Sequence, residues 1–120
     1  MFSDTFTVTV ESSSIALKRI NQDNYSSVYR GANTTHQVTL TIRHSKFTKK
    51  SDGNSYDRHN VELVIVEFAT DTTPKFETKS YAVIENRTDL NSALAVEGYG
   101  QLVAVLAVSG ILSGLVNWES

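Results

Sequence analysis

The stretch that decides the fold runs from Thr34 to Thr70. It reads TTHQVTLTIRHSKF (34–47), a polar turn TKKSDGNS (48–55), then YDRHNVELVIVEFAT (56–70). In the first run Gln37, Thr39, Thr41, Arg43 and Ser45 alternate with Val38, Leu40 and Ile42. Residues two apart share one face of a strand, so this pattern predicts a strand with one polar and one apolar face. In the second run Arg58, Asn60 and Glu62 alternate with His59, Val61, Leu63 and Ile65. Thr, Val and Ile dominate both runs, which favours a pleated sheet over a helix. At roughly 3.3 Å per residue, Tyr56 to Phe68 spans about 40 Å, around twice the usual strand. The two runs form a long hairpin. Its apolar face needs a cover, and its polar face is free to meet water or a ligand.

Working outward, shorter strands are predicted before the hairpin at Thr5–Val10, Ile15–Ile20 and Tyr25–Arg30. Turns separate them at Glu11–Ser14, Asn21–Asn24 and Gly31–Asn33. After the hairpin, Ala69–Lys75 is a loop holding the only proline, and Phe76–Asn86 is a sixth strand. There Lys79, Tyr81, Val83 and Glu85 share one face. The period then changes. Leu90, Leu94, Val96, Tyr99, Val103 and Leu106 recur at helical spacing, with Thr88 or Asp89 as N-cap. Ser109–Gly110 breaks the helix, and Ile111–Trp118 makes a second one. The apolar run Leu102–Leu115 falls below the ~18 residues of a membrane span, so it reads as a buried helix pair. Strands first and helices last define an α+β fold with helices covering one sheet face. Helices this apolar exceed what one sheet can cover, and a last strand with no later partner is an open edge. Both point to an obligate dimer.

At 120 residues the chain is a single domain, 1–120, able to bury a core unaided. It has no cysteine, which removes disulfides, thiol chemistry and cysteine-based zinc sites. MFSDTFTVTVESS has no basic or apolar segment of the kind that opens a signal peptide. The formal charge is −2, yet charge is segregated. Arg30, Arg43, Lys46, Lys49, Lys50 and Arg58 face only Asp52 and Asp57 in that window, and His36, His44 and His59 fall in or beside it. By parity the histidines lie on the apolar face, under the helices, where packed and hydrogen-bonded imidazoles are expected rather than ligands or bases. No nucleophile–His–Asp set and no Gly-rich phosphate loop is present, so no enzymatic activity is expected.

LKRINQDNY (Leu17–Tyr25), IRHSK (Ile42–Lys46), YDRHNVE (Tyr56–Glu62), TTPKF (Thr72–Phe76), YAVI (Tyr81–Ile84) and WES (Trp118–Ser120) carry a family likeness in order along the chain. The sequence resembles the coat proteins of the small single-stranded RNA bacteriophages, the levivirus group, and is most similar to their Caulobacter-phage branch. Val96–Gly114 departs most from that branch. The resemblance implies an N-terminal β-hairpin, a five-stranded antiparallel sheet and two C-terminal helices. It also implies a homodimer joined through the last strands with interlocked helices. Such dimers build an icosahedral shell around the genomic single-stranded RNA, assembled in the bacterial cytoplasm, and in the group they can repress replicase translation.

On that likeness the RNA-facing residues are Thr39, Thr41, Arg43 and Ser45 from one strand and Arg58, Asn60 and Glu62 from the next. Lys46 adds phosphate attraction, and Tyr81 falls where the family places a stacking aromatic. Arginine suits phosphate because its fork is planar and always charged. Hydroxyls and amides can reach base edges of exposed nucleotides, and a tyrosine can stack on a base. Lys49, Lys50, Asp52 and Gly53 read as a solvated turn. Asp71, with Glu67 or Glu77 of neighbouring subunits, offers oxygen ligands for calcium at a subunit contact. The alternatives from residues alone are a dimeric RNA-binding regulator that forms no shell and a small secreted all-β adhesion module. The second is disfavoured by the helical tail and the missing disulfides.

Overall fold

The computed structural model describes residues 2–119; Met1 and Ser120, the last residue of the WES motif, lie outside the described residues. Six strands form one antiparallel sheet in sequence order: β1 (Thr5–Val10), β2 (Ser13–Gln22), β3 (Ser26–Ala32), β4 (His36–Thr48), β5 (Ser55–Glu67) and β6 (Phe76–Arg87). Helices α1 (Ser92–Leu106) and α2 (Ile111–Val116) follow. The architecture is the expected α+β one, with six strands rather than a separate hairpin plus five. The difference lies in β2. Its first part, Ser13–Lys18, pairs with β1, and Lys18–Gln22 pairs with β3 across a register shift between Arg19 and Asn21. One strand therefore serves both hairpin and sheet, and Asn21 and Gln22 are strand residues rather than a turn.

β4 and β5 pair without a break from His36↔Glu67 to Thr48↔Ser55. That register confirms the two faces read from the alternation. The core lies on the apolar face, where Ile15, Leu17, Tyr29, Val38 and Ile42 are buried. Phe6, Val8 and Val10 pack against them, so the β1–β2 hairpin supplies the lid. Burying a side chain such as Leu17 or Val38 fully is worth about 1.5–3 kcal/mol. The lid sits so close that a Cβ on Gly31 would lie 2.1 Å from the Ala16 carbonyl oxygen.

The RINQD segment fastens the other end of the lid. Arg19 donates to the Tyr29 hydroxyl and to the carbonyls of Phe2 and Ser3, and it pairs with Asp4 at 3.0 Å. Asp23 accepts from the backbone N–H groups of Tyr25 and Ser26 and closes the β2–β3 turn.

The helices differ from expectation in one respect. α1 has no buried residue, and Leu94, Val96, Val105, Leu112, Leu115 and Val116 are exposed. The buried helix pair is not realised within one chain, because the hairpin already occupies the covered part of the apolar face. The N-cap also moves to Asn91. Asp89 is drawn to Arg87 at 2.8 Å, and the Thr88 hydroxyl donates to the Ser55 carbonyl. No helix among the described residues is long and apolar enough to cross a membrane. The Cα radius of gyration is 17.2 Å, against about 14 Å for a compact chain of this length.

Replacing Gly31 with alanine should lower stability by about 3 kcal/mol or more in urea or thermal unfolding, because the clash is with backbone that cannot rotate away. A variant as stable as the parent would show that β2 does not press on β3 in this way.

Candidate nucleic-acid interface

The face opposite the hairpin carries the candidate site. Register sets its rows. Thr39, Thr41, Arg43 and Ser45 stand opposite Val64, Glu62, Asn60 and Arg58, which in turn stand opposite Lys79, Tyr81, Val83 and Glu85. Seven predicted contact residues from β4 and β5, together with Tyr81 from β6, are thus brought to one surface. β3 adds Arg30 beside Thr39, and β2 adds Lys18 beside Arg30. The face presents Lys18, Arg30, Arg43, Arg58 and Lys79 against Glu62, Glu77 and Glu85.

Lys46 is a correction. It pairs in register with Asp57 on the same face as His44 and His59, and its Nζ donates to Asp57 Oδ1 at 2.7 Å. A strand alternates sides at every residue, so the residue after Ser45 points away from Arg43.

Arg43 is held loosely, and Arg58, whose Nε also donates to Glu85 Oε2 at 2.7 Å, more closely. Arg43 Nη2 lies 3.4 Å from Glu62 Oε2, and Arg58 Nη2 lies 2.6 Å from Glu85 Oε2. Both arginines are about half exposed, 51% and 46% of the side chain. Exposed pairs of this kind contribute roughly 0–1 kcal/mol, so a phosphate can compete for either guanidinium. The Asn60 side-chain oxygen is shielded from solvent and has no hydrogen-bond partner among the described residues. It stands beside Arg43 as an unspent acceptor. Tyr81 is 68% exposed on the edge strand.

The sequence reading missed an aromatic platform at the turn end of this face. Phe47 and Tyr56 oppose each other in register and stack with centroids 5.6 Å apart. Arg58 lies over Phe47 at 4.6 Å, and Lys49 over Tyr56 at 5.2 Å. The signal was present in parity, since Phe47 is two residues beyond Ser45. Lys49 therefore does more than sit in a solvated turn.

The histidines separate. His36 is buried, beneath the hairpin rather than the helices. His44 and His59 are on the predicted face but outside the cover, with their Nδ1 atoms 2.9 Å apart. Glu67 lies against His36, 3.1 Å from its Nε2. Asp71 is an exposed loop residue. One exposed carboxylate does not make a calcium site, so a cation there needs oxygens from a second copy.

This arrangement, a sheet with a hairpin lid, a polar opposite face and two trailing helices, is a phage coat protein fold. The chain aligns with the bacteriophage EMS014 coat protein at TM-score 0.76 and 16% identity, covering 99% of this chain and 98% of that one. The virus-like particle of Beihai levi-like virus 21 matches at TM-score 0.67 and 16% identity, over 97% and 94% of the two chains. The virus-like particle of bacteriophage AVE019 matches at 0.65 and 9% identity, over 100% and 97%. No curated protein matches the sequence. The family model of the phage phiCb5 coat protein matches residues 3–87, and the chain belongs to that family. The matched span is the sheet; the helices, where the sequence departs from the branch it resembles, are shared at the level of fold.

At the platform, the Asp52 carboxyl is held below its ordinary range, first by the Asn54 backbone N–H and then by the Tyr56 hydroxyl. Tyr56, donating to Asp52 at 2.7 Å, is pushed above its ordinary 10.0. The lowered carboxyl stabilises the turn above the usual carboxylate range, and this is lost as pH falls through its folded value. The raised phenol stabilises it below about pH 10, and this is lost as pH rises further. Asp52→Asn should bring one tyrosine back toward ordinary titration in a phenolate-absorbance difference curve. Superimposable curves would remove the Asp52–Tyr56 bond from the folded turn.

Proposed function

We propose that this coat protein assembles as an interlocked homodimer into an icosahedral shell and holds single-stranded genomic RNA against the polar sheet face. The observation that carries the RNA reading is that face: five cations, two of them on weakly held arginines, with exposed Tyr81 and the Phe47–Tyr56 platform. Arginines supply phosphate attraction, and aromatics supply sequence-tolerant stacking. Val83 and Glu85, apolar and acidic, favour general RNA contact over recognition of one replicase hairpin.

Dimerisation rests on a second observation. β6 is a sheet edge twelve residues long, with no partner on its outer side among the described residues. Beside it an open groove of 420 Å³ runs between Val61, Leu63 and Ala82 of the sheet and Tyr99, Leu102 and Leu106 of α1. A second copy pairing its own β6 at the edge would bring its helices over this groove. The apolar helix faces, exposed in one chain, would then be covered. Asp71 in the β5–β6 loop is offered to subunit contacts, with calcium as its candidate ion.

Size-exclusion chromatography with the 260/280 nm absorbance ratio, then negative-stain microscopy, tests the whole reading. RNA-rich, nuclease-protected spheres are expected. A small RNA-free dimer that stays small after RNA is added would sink it. Val105→Asp should abolish particles, since it places a charge in the proposed helix interface.

For RNA contact, Arg43→Ala and Arg58→Ala should each weaken binding by disassembled dimers and reduce the salt slope by about 1. Tyr81→Ala should cost about 1–3 kcal/mol, the value of one stacked base. Lys46→Ala should change little. Equal losses at Lys46 and Arg43 would argue for diffuse attraction over a defined face.

A further inference from the structure

We propose that Glu11, His36 and Glu67 form a transition-metal site, fit for zinc, that fastens the tip of the N-terminal hairpin to the main sheet. One ligand atom from each lies within 4.8 Å of the others. They come from three places: the β1–β2 turn, the start of β4 and the end of β5.

His36 is 4% exposed, and both of its ring nitrogens face polar partners. Asn33 Oδ1 accepts from the backbone N–H groups of Thr35 and His36 and from the Thr35 hydroxyl. The same hydroxyl lies 2.8 Å from His36 Nδ1 and accepts from the ring when Nδ1 carries the imidazole proton. In that tautomer, the one a metal at Nε2 selects, the Nε2 lone pair faces two carboxylates. Glu67 Oε1 is 3.1 Å away and Glu11 Oε2 is 3.7 Å away. Three electron-rich atoms then converge on one point, an arrangement a bound cation would stabilise; with the proton on Nε2 instead, the ring donates to Glu67.

The spacing suits a metal ion. Zinc bonds of about 2.1 Å in a tetrahedron separate the ligand atoms by about 3.4 Å, a value the two measured gaps bracket. An imidazole with two carboxylates suits zinc and its first-row neighbours, whereas calcium takes six to eight oxygens. The His36–Thr35–Asn33 chain is the outer hydrogen bonding that orients a metal-binding histidine. Glu11 is mostly exposed, which leaves a fourth position for water. The turn that carries it is unusual: Glu11 and Ser12 both have positive φ, 48° and 70°, where Asn-Gly is the ordinary choice.

The test uses the full-length protein in its native assembled state, stripped with chelator and dialysed, then titrated with zinc by calorimetry and with cobalt(II) by visible absorption. One ion per chain is expected, with a rise in Tm on zinc addition. Glu11→Gln, a substitution on an exposed turn that leaves the fold intact, should weaken affinity about tenfold or more and remove the cobalt band. Glu67→Gln should do the same. His44→Gln should change nothing, since the His44–His59 pair is the competing acceptor for an added metal. Absence of saturable zinc uptake overturns the proposal and leaves a simple Nε2–H to Glu67 hydrogen bond. Uptake lost in His44→Gln but kept in Glu11→Gln overturns it as well. Either result leaves shell formation and RNA binding untouched.

Discussion

The backbone of β2 presses on Gly31 so closely that no side chain fits between them, and this contact decides what the rest of the chain must do. It places Ile15 and Leu17 over Tyr29, Val38 and Ile42, and Arg19 locks the N-terminal segment to the Tyr29 hydroxyl. The apolar face of the sheet is covered at that end and only there. Val61, Leu63 and Ala82 remain under an open groove, beside an unpaired edge and two helices with little of their apolar surface buried. A coat protein gains from this division. A core large enough to fold one chain coexists with open apolar surface, which the proposed dimer would cover.

The opposite face obeys a different constraint. Arg43 meets Glu62 loosely and Arg58 meets Glu85 through two nitrogens, both in a solvated setting where such pairs contribute little. The carboxylates keep the arginines extended over the sheet without committing them. Phe47 and Tyr56, flanked by Lys49 and Arg58, put aromatic surface and positive charge at the turn end of the same face. The proposed RNA contact would draw on both, charge for phosphate and aromatic surface for bases, with the sheet rigid beneath them.

Alternation in Gln37–Ser45 and Arg58–Ile65 was enough to assign the two faces, because a strand has a fixed period of two and a one-residue slip would turn every apolar side chain to water. The resemblance, not alternation, put Tyr81 on the polar face, where the β5–β6 register places it; alternation applied strictly would have moved Lys46 to the other side and added Phe47. Arg30 and Lys18 could not be placed, since their position depends on the β3–β4 and β2–β3 registers, which no local alternation sets. The N-cap was misjudged because Asp89 and Thr88 have tertiary partners, Arg87 and Ser55, which local propensity does not contain.

Sequence alone determined the six strands along the chain, the polar and apolar faces, the helical tail and the likeness to phage coat proteins. These follow from local periodicity and from motifs that keep their order. Only the tertiary structure decided that the hairpin, rather than the helices, covers the core, that Glu11 reaches His36 and Glu67, and that Glu62 and Glu85 restrain the arginines. Those facts join residues distant along the chain, and they depend on which surfaces meet when the sheet folds over itself. No local pattern encodes that meeting.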